Sequence, residues 1–313
     1  MLAISTTALY CIGDDLIREG VERICGVGDE PTVWFNKSDM RVDGKRHRTF
    51  WVDPEMPPTK AVVAAARAVI IAGTPSWLDR VGNVYLHCIE TGTPLWIIGA
   101  GKAQKQVDVL AKANAAGLVH VATARDKPSQ ATMAAAGIDA PIFFDPAFHA
   151  DYPTDWVAKS VDLAVCYKTD DAVPGLDKIH HEIAAKFGDR IEAVFVHSPR
   201  EIADAYSIYG MEPFYHHEYR RFLPRYAACR CIIAGRLHAA IPVLAMGGSA
   251  HVIYQSEKRE MLQRLEDDVP VKVYYPADWR EIDVDADLCE PGASERIQDD
   301  FDAHAAYVRE RIQ

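Results

Sequence analysis

An alternation constrains this 313-residue chain most. Short apolar runs of strand length recur, each followed by a turn and then a stretch with helical spacing. Ala68 to Ala72 (AVIIA) meets Gly73-Thr74-Pro75-Ser76-Trp77 before a helical stretch, Gly82 to Glu90. Leu95 to Ile98 meets Gly99-Ala100-Gly101-Lys102 before Val107 to Ala116. Val119 to Ala122 runs to Arg125-Asp126 before Ser129 to Ala136, and a further strand is expected at Ile142 to Phe144. The pattern resumes with Val161 to Tyr167, Ile191 to His197, Cys231 to Ala234, His251 to Tyr254 and Val269 to Tyr275. Continuous apolar runs without period-2 alternation belong to strands buried on both faces. Joined through helices, they predict βαβ units and parallel sheets.

Less regular stretches complete the expected order. Leu2 to Ser5, Val33 to Phe35 and Thr49 to Val52 read as short strands, and Asp14 as the N-cap of a helix over Leu16 to Ile24. His217 to Tyr226 reads as a helix kinked at Pro224, and Ser294 to Ile312 as a polar last helix. The length suits two domains of about 150 residues each. The polar segment His149 to Asp155, with Pro153, is the expected linker. The predicted architecture is α/β, with two Rossmann-like parallel-sheet domains facing across a cleft: residues 1–149, residues 150–293, and a closing helix over 294–313.

The net charge of −11 argues against sequence-independent nucleic-acid binding, which needs a basic face. No segment approaches the roughly 20 apolar residues of a membrane helix, and the N-terminus lacks the basic start of a signal peptide. Seven scattered cysteines suit reduced thiols and a cytoplasmic setting. Peripheral association with a membrane stays open, and the oligomeric state is not legible.

In open α/β sheets, ligands bind outside the carboxyl ends of the strands. The chemistry-bearing residues collect there in both halves. The first half offers Gly13 with Asp14, Gly73 with Ser76 and Trp77, Lys102 after Gly101, and Arg125 with Asp126. The second offers Lys168, His197 with Ser198, and Gly235-Arg236-Leu237-His238. A cation and a histidine at the start of an apolar helix suit an anionic ligand and proton transfer. No turn matches GxGxxG, and GAGK lacks P-loop spacing. HExxH and paired CxxC are absent, and the doublets His180-His181 and His216-His217 point to different faces, so no metal is expected.

Taken in order, several stretches resemble the polysaccharide pyruvyl transferase family. They are Gly13-Asp14-Asp15, AVIIAGTPSWLD, LWIIGAG, ATARDKPSQATMAAAGI with FFDPAF, and CIIAGRLHAAIPVLAMG with VIYQSEK, spanning roughly residues 10 to 260. The resemblance implies a two-domain fold like the GT-B glycosyltransferases. It also implies transfer of the enolpyruvyl carbons of phosphoenolpyruvate to a sugar hydroxyl as a pyruvate ketal, on a saccharide or lipid-linked saccharide acceptor. Phosphoenolpyruvate would be the donor substrate, and no cofactor is implied. Arg236, Leu237 and His238 match the family's donor-binding RLH segment. Two departures stand out: Gly73-Thr74-Pro75-Ser76 replaces a Gly-Gly-Gly-Ser turn, and Lys168 stands where the family places an arginine.

On this reading Arg236 clamps the donor, with Lys168, Gly235 and His197 completing its site. His238 is the general acid, and Asp14 or Asp126 the base. Gly13, Gly73, Ser76, Trp77, Lys102 and Arg125 line the acceptor side, where Trp77, like Tyr215, offers a face for sugar stacking. Two other readings remain. One is a GT-B glycosyltransferase using a nucleotide sugar, set back by the lack of a carboxylate between Arg236 and Glu257. The other is a non-catalytic sugar-binding member of the family.

Overall fold

The computed structural model describes residues 2–5, 12–35, 50–52, 58–73, 82–101, 107–153, 158–168, 175–254, 264–286 and 292–313. The chain divides into two compact units. The first holds residues 1–10, 14–151 and 298–313, and the second holds residues 11–13 and 152–297.

The first unit is built on six strands: β1 (Leu2–Ser5), β2 (Thr32–Phe35), β3 (Phe50–Val52), β4 (Ala68–Ala72), β5 (Leu95–Ala100) and β6 (Val119–Ala124). They form one sheet in the order β3-β2-β1-β4-β5-β6, every pair parallel. This is the Rossmann strand order, whose direction reverses between β1 and β4. Helices α1 (Ile12–Cys25), α2 (Pro58–Ala65), α3 (Gly82–Thr91), α4 (Val107–Ala115) and α5 (Lys127–Ala135) run between the strands. The apolar runs of β4 and β5 are buried along their whole length, as their lack of alternation requires. The α1 stripe Ile12, Leu16, Ile17, Val21 and Ile24 recurs at helical spacing and is buried.

Differences from the expected elements have local causes. Helix α1 begins at Ile12, so Asp14 lies on its first turn rather than at its cap. The strand expected at Ile142 to Phe144 shrinks to one bridge, Ala124 to Ile142. The chain leaves the sheet there for a 3-10 turn, Pro146–His149, capped by the Asp145 carboxylate on the Ala147 amide at 2.9 Å. That turn is tightly seated. A Cβ on Gly20 of α1 would stand 1.8 Å from the Pro146 carbonyl oxygen, and one on Gly99 would stand 2.4 Å from the Pro146 ring.

The second unit holds β7 (Val161–Cys166), β8 (Ile191–Phe195), β9 (Cys229–Ala234), β10 (Ser249–Ile253) and β11 (Val271–Tyr274). Their order is β11-β10-β9-β7-β8, again all parallel. Read from the other edge, this is the flavodoxin-like order, with its reversal between β7 and β9. Helices α6 (Leu176–Phe187), α7 (Ile202–Tyr209), α8 (Leu223–Ala227) and α9 (Leu237–Ala245) connect the strands. The helix expected over His217 to Tyr226 breaks into a 3-10 turn, Tyr219–Arg221, and the short α8. Pro224 lies in the first turn of α8, where its missing N–H leaves no bond unmade.

The last helix, α10 (Ala293–Ile312), groups with the first unit from Gln298 onward. Arg309 donates from Nε to the Ile24 carbonyl at 3.0 Å and from Nη2 to the Arg23 carbonyl at 2.6 Å. A cation on those last carbonyls also suits the α1 dipole. Among the described residues, no helix is long and apolar enough to cross a membrane.

Gly20→Ala is expected to destabilise the chain by about 1–3 kcal/mol through overpacking against Pro146, despite the better helix propensity of alanine. The urea unfolding midpoint checks this; an unchanged or higher midpoint contradicts the close seating.

Candidate functional site

The register of the second sheet assembles a site from segments far apart in sequence. Cys166 of β7 lies opposite Ala234 of β9 and Phe195 of β8, and Ala234 lies opposite Val252 of β10. These four residues form one row across the sheet. Lys168, His197, Arg236 and Tyr254 each stand two residues beyond that row. Lys168 and Arg236 flank the point where strand order reverses, where open α/β sheets place ligands. A Cβ on Gly235 would stand 3.1 Å from Leu176 and 3.5 Å from the Lys168 Cβ, so β7 and β9 end in close contact. The Lys168 ammonium sits 5.5 Å from the Tyr254 ring centre.

Arg236 is the N-cap residue of α9, in extended conformation, and its side chain caps no helix amide. Its guanidinium turns to Glu201, whose side chain is 3% exposed against 25% for the arginine. Glu201 ends the 3-10 turn Pro199–Glu201 after β8, a turn capped by Ser198. No local sequence signal marks Glu201, which lies 35 residues before Arg236 on another strand end. Glu257 itself lies outside the described residues.

His197 shares a hydrogen bond with the Tyr226 hydroxyl at 2.7 Å and meets the Phe222 ring edge-on. Burial, then the positive charge of Arg236, then His238 push its pKa well below the usual histidine value. It therefore stays neutral beside Arg236 and serves as a polar support rather than a third cation. His238 lies on the first turn of α9 and is half-buried. Residues 11–13 group with this unit, and a Cβ on Gly13 would stand 2.0 Å from the His238 Nδ1. Leu237 is 3% exposed and belongs to the core, so it anchors the turn instead of lining a ligand surface. Tyr215, offered as a stacking face, packs against the core of the same unit.

In the first unit, Gly73 follows β4 beside the reversal of strand order, with φ of 72° and its carbonyl bonded to the Gly101 amide at 2.7 Å. Asp14 is buried on the first turn of α1, where its charge suits the helix dipole. Its neighbour Asp15 has the more telling electrostatics. Burial raises its pKa to about 6, against the opposing pull of Arg18, which donates to it at 2.6 Å. A carboxyl that titrates near neutrality suits proton transfer better than an ordinary one.

Arg125 and Asp126 sit at the edge strand β6, away from the reversal, and hold the chain itself. Arg125 is buried and paired with Asp145. Asp126 is the N-cap of α5; it accepts from the Ser129 amide at 2.7 Å and from the Ser129 hydroxyl. Ser76, Trp77 and Lys102 lie outside the described residues.

No family model and no curated protein matches this chain. Solved structures do. A UDP-N-acetylglucosamine 2-epimerase aligns over 98% of this chain and 94% of its own, at 11% identity and a TM-score of 0.55. The spinosyn rhamnosyltransferase SpnG, complexed with thymidine diphosphate, aligns over 100% and 96% at 11% identity and a TM-score of 0.51. The glycosyltransferase SnogD from Streptomyces nogalater aligns over 100% and 94% at 15% identity and a TM-score of 0.50. At these identities the likeness defines the fold: α/β, with Rossmann-like parallel-sheet units, of the GT-B class.

Two outcomes follow from the electrostatics. Glu201→Gln is expected to cost about 1–3 kcal/mol, because it removes the buried carboxylate charge paired with Arg236; chemical denaturation measures it. His197 takes a proton in the unfolded chain below pH ~6.5 but resists it when folded, so its contribution is lost as pH falls through that value. The stability of the wild type relative to His197→Gln should therefore drop between pH 7.5 and 5.5. A constant difference would contradict a neutral His197.

Proposed function

We propose that this chain is a transferase that seats a phosphate-bearing donor at the amino end of α9 and passes a group from it to a sugar hydroxyl. The shared row of strand ends carries the reading. It sets Lys168 and Arg236 side by side at the reversal of strand order, with His238 one helical step further on. The first amides of α9 add hydrogen-bond donors and a favourable dipole for an anion. Arg236, oriented by Glu201, offers a fork to a phosphate or carboxylate. His238 is the proton donor or acceptor at the reacting atoms.

Two donors meet this description. Phosphoenolpyruvate is supported by Gly235-Arg236-Leu237-His238 and the other stretches that resemble pyruvyl transferases. In that reaction His238 protonates the methylene carbon, one acceptor hydroxyl adds to the adjacent carbon and gives up its proton to a base, and a second hydroxyl of the same sugar, also deprotonated, takes the place of the departing phosphate and closes the ketal. A nucleotide sugar is supported by the solved structures of like fold, which include a UDP-N-acetylglucosamine epimerase and a rhamnosyltransferase holding thymidine diphosphate. Glu201 adds to that second reading. Against Lys168 and Arg236 it leaves one net positive charge among these three side chains. Phosphoenolpyruvate brings about three negative charges, and a nucleoside diphosphate sugar about two, one on each phosphate. The comparisons and the charge balance weigh toward the nucleotide sugar, the RLH turn toward phosphoenolpyruvate.

Calorimetric titration with phosphoenolpyruvate, UDP and thymidine diphosphate separates the donors. Heat with the first alone selects pyruvyl transfer, and heat with a diphosphate alone selects glycosyl transfer. Silence with all three removes the donor site and leaves a non-catalytic protein. For whichever donor binds, Arg236→Ala should weaken binding at least about ten-fold, the loss of a charge-assisted pair worth roughly 1.5–3 kcal/mol. His238→Ala should abolish turnover while binding persists; a His238→Ala enzyme of wild-type rate would remove the acid–base role.

A further inference from the structure

The first unit contains a cluster that the transfer reaction does not use. His149 ends the 3-10 turn after Asp145, and Asp300 and His304 lie one turn apart on the same face of α10. One nitrogen of each imidazole and one carboxylate oxygen of Asp300 lie within 4.8 Å of one another. His149 and His304 are 2% and 0% exposed. His149 Nε2 stands 3.0 Å from Asp300 Oδ2, and that oxygen also accepts the Phe144 amide at 3.0 Å. His304 Nε2 meets the Thr123 hydroxyl at 3.0 Å, while its ring stacks on Phe143 at 4.3 Å.

A plain histidine–carboxylate pair leaves part of this cluster unexplained. Nδ1 of His149 and Nδ1 of His304 are buried with no hydrogen-bond partner among the described residues. A neutral imidazole carries one N–H and one lone pair. If His304 donates Nε2–H to Thr123, its Nδ1 is left as a bare, buried lone pair. We propose that His149, Asp300 and His304 bind a divalent first-row transition metal, with zinc the natural occupant.

Two imidazoles and one carboxylate are a zinc-type donor set. Bonds of about 2.0–2.1 Å hold tetrahedral ligand atoms roughly 3.4 Å apart. The 3.0 Å pair is near that spacing, and all three ligand atoms lie within 4.8 Å of one another. The surroundings are those of ligands held from outside: Thr123 and Phe143 fix the His304 ring, and the Phe144 amide fixes the Asp300 carboxylate. Asp300 keeps 15% of its side chain exposed, so water can supply the fourth ligand. The metal would clip α10 to the turn that Gly20 and Gly99 already hold.

The test uses the full-length chain, stripped with a chelator and dialysed. Zinc chloride is titrated by calorimetry, and cobalt chloride by visible absorption. The expected result is one zinc per chain, a tetrahedral cobalt band without a thiolate charge-transfer band, and a raised Tm with zinc. Asp300→Asn and His304→Gln keep hydrogen-bonding shape, and each should weaken zinc at least about ten-fold, as loss of even a supporting residue does. Absence of zinc heat and of a cobalt band in the wild type overturns the site. So does binding of wild-type strength in both variants, or a thiolate band that places the metal on cysteine. If a variant does not fold, the wild-type stoichiometry and cobalt spectrum decide alone.

Discussion

The lateral hydrogen bonding of β7 to its neighbours is the constraint on which the candidate site depends. It sets Cys166, Phe195 and Ala234 in one row. Lys168, His197 and Arg236 then emerge together, though they come from three separate βα turns. A one-residue slip in a strand carries every side chain to the opposite face. The buried apolar faces of β7 and β9 forbid that slip. The core thus sets the geometry of the polar groups above it, at the point where strand order reverses between β7 and β9.

Charge around that row is arranged rather than merely accumulated. Glu201 takes one arm of Arg236 and fixes where its guanidinium points. The same arginine helps keep His197 uncharged, so His197 can support the site through Tyr226 without adding repulsion. In the first unit the reverse occurs: burial outweighs the adjacent Arg18 and lifts Asp15 toward neutrality. One arrangement suits holding an anion, the other suits moving a proton.

The segment from Asp145 to His149 has a comparable place in the first unit. Its carboxylate end receives Arg125, its proline is enclosed by two glycines, and its histidine meets α10. Residues that looked like a strand-end pair, Arg125 and Asp126, are therefore occupied in holding β6, α5 and this turn together. The FFDPAF stretch is legible as a junction in the sequence, but the chain lying on both sides of it is not.

The class of fold is legible in the amino-acid order, because short continuous apolar runs suit strands covered on both faces, and helical crossovers make those strands parallel. That order also marked Gly235, Arg236, His238, Lys168 and His197, since polar residues after buried strands have nowhere else to go than the strand ends. Which of them meet depends on strand pairing across the sheets. Strand order placed Lys168 beside Arg236 and set Arg125 at an edge, and neither order follows from local periodicity. Glu201 was invisible because its partner is 35 residues away across the sheet. The cluster of His149, Asp300 and His304 was invisible because 151 residues separate its first two members. Spacing along a chain reports contacts within one helix or strand. Contacts between elements are set by packing, which no single stretch of sequence contains.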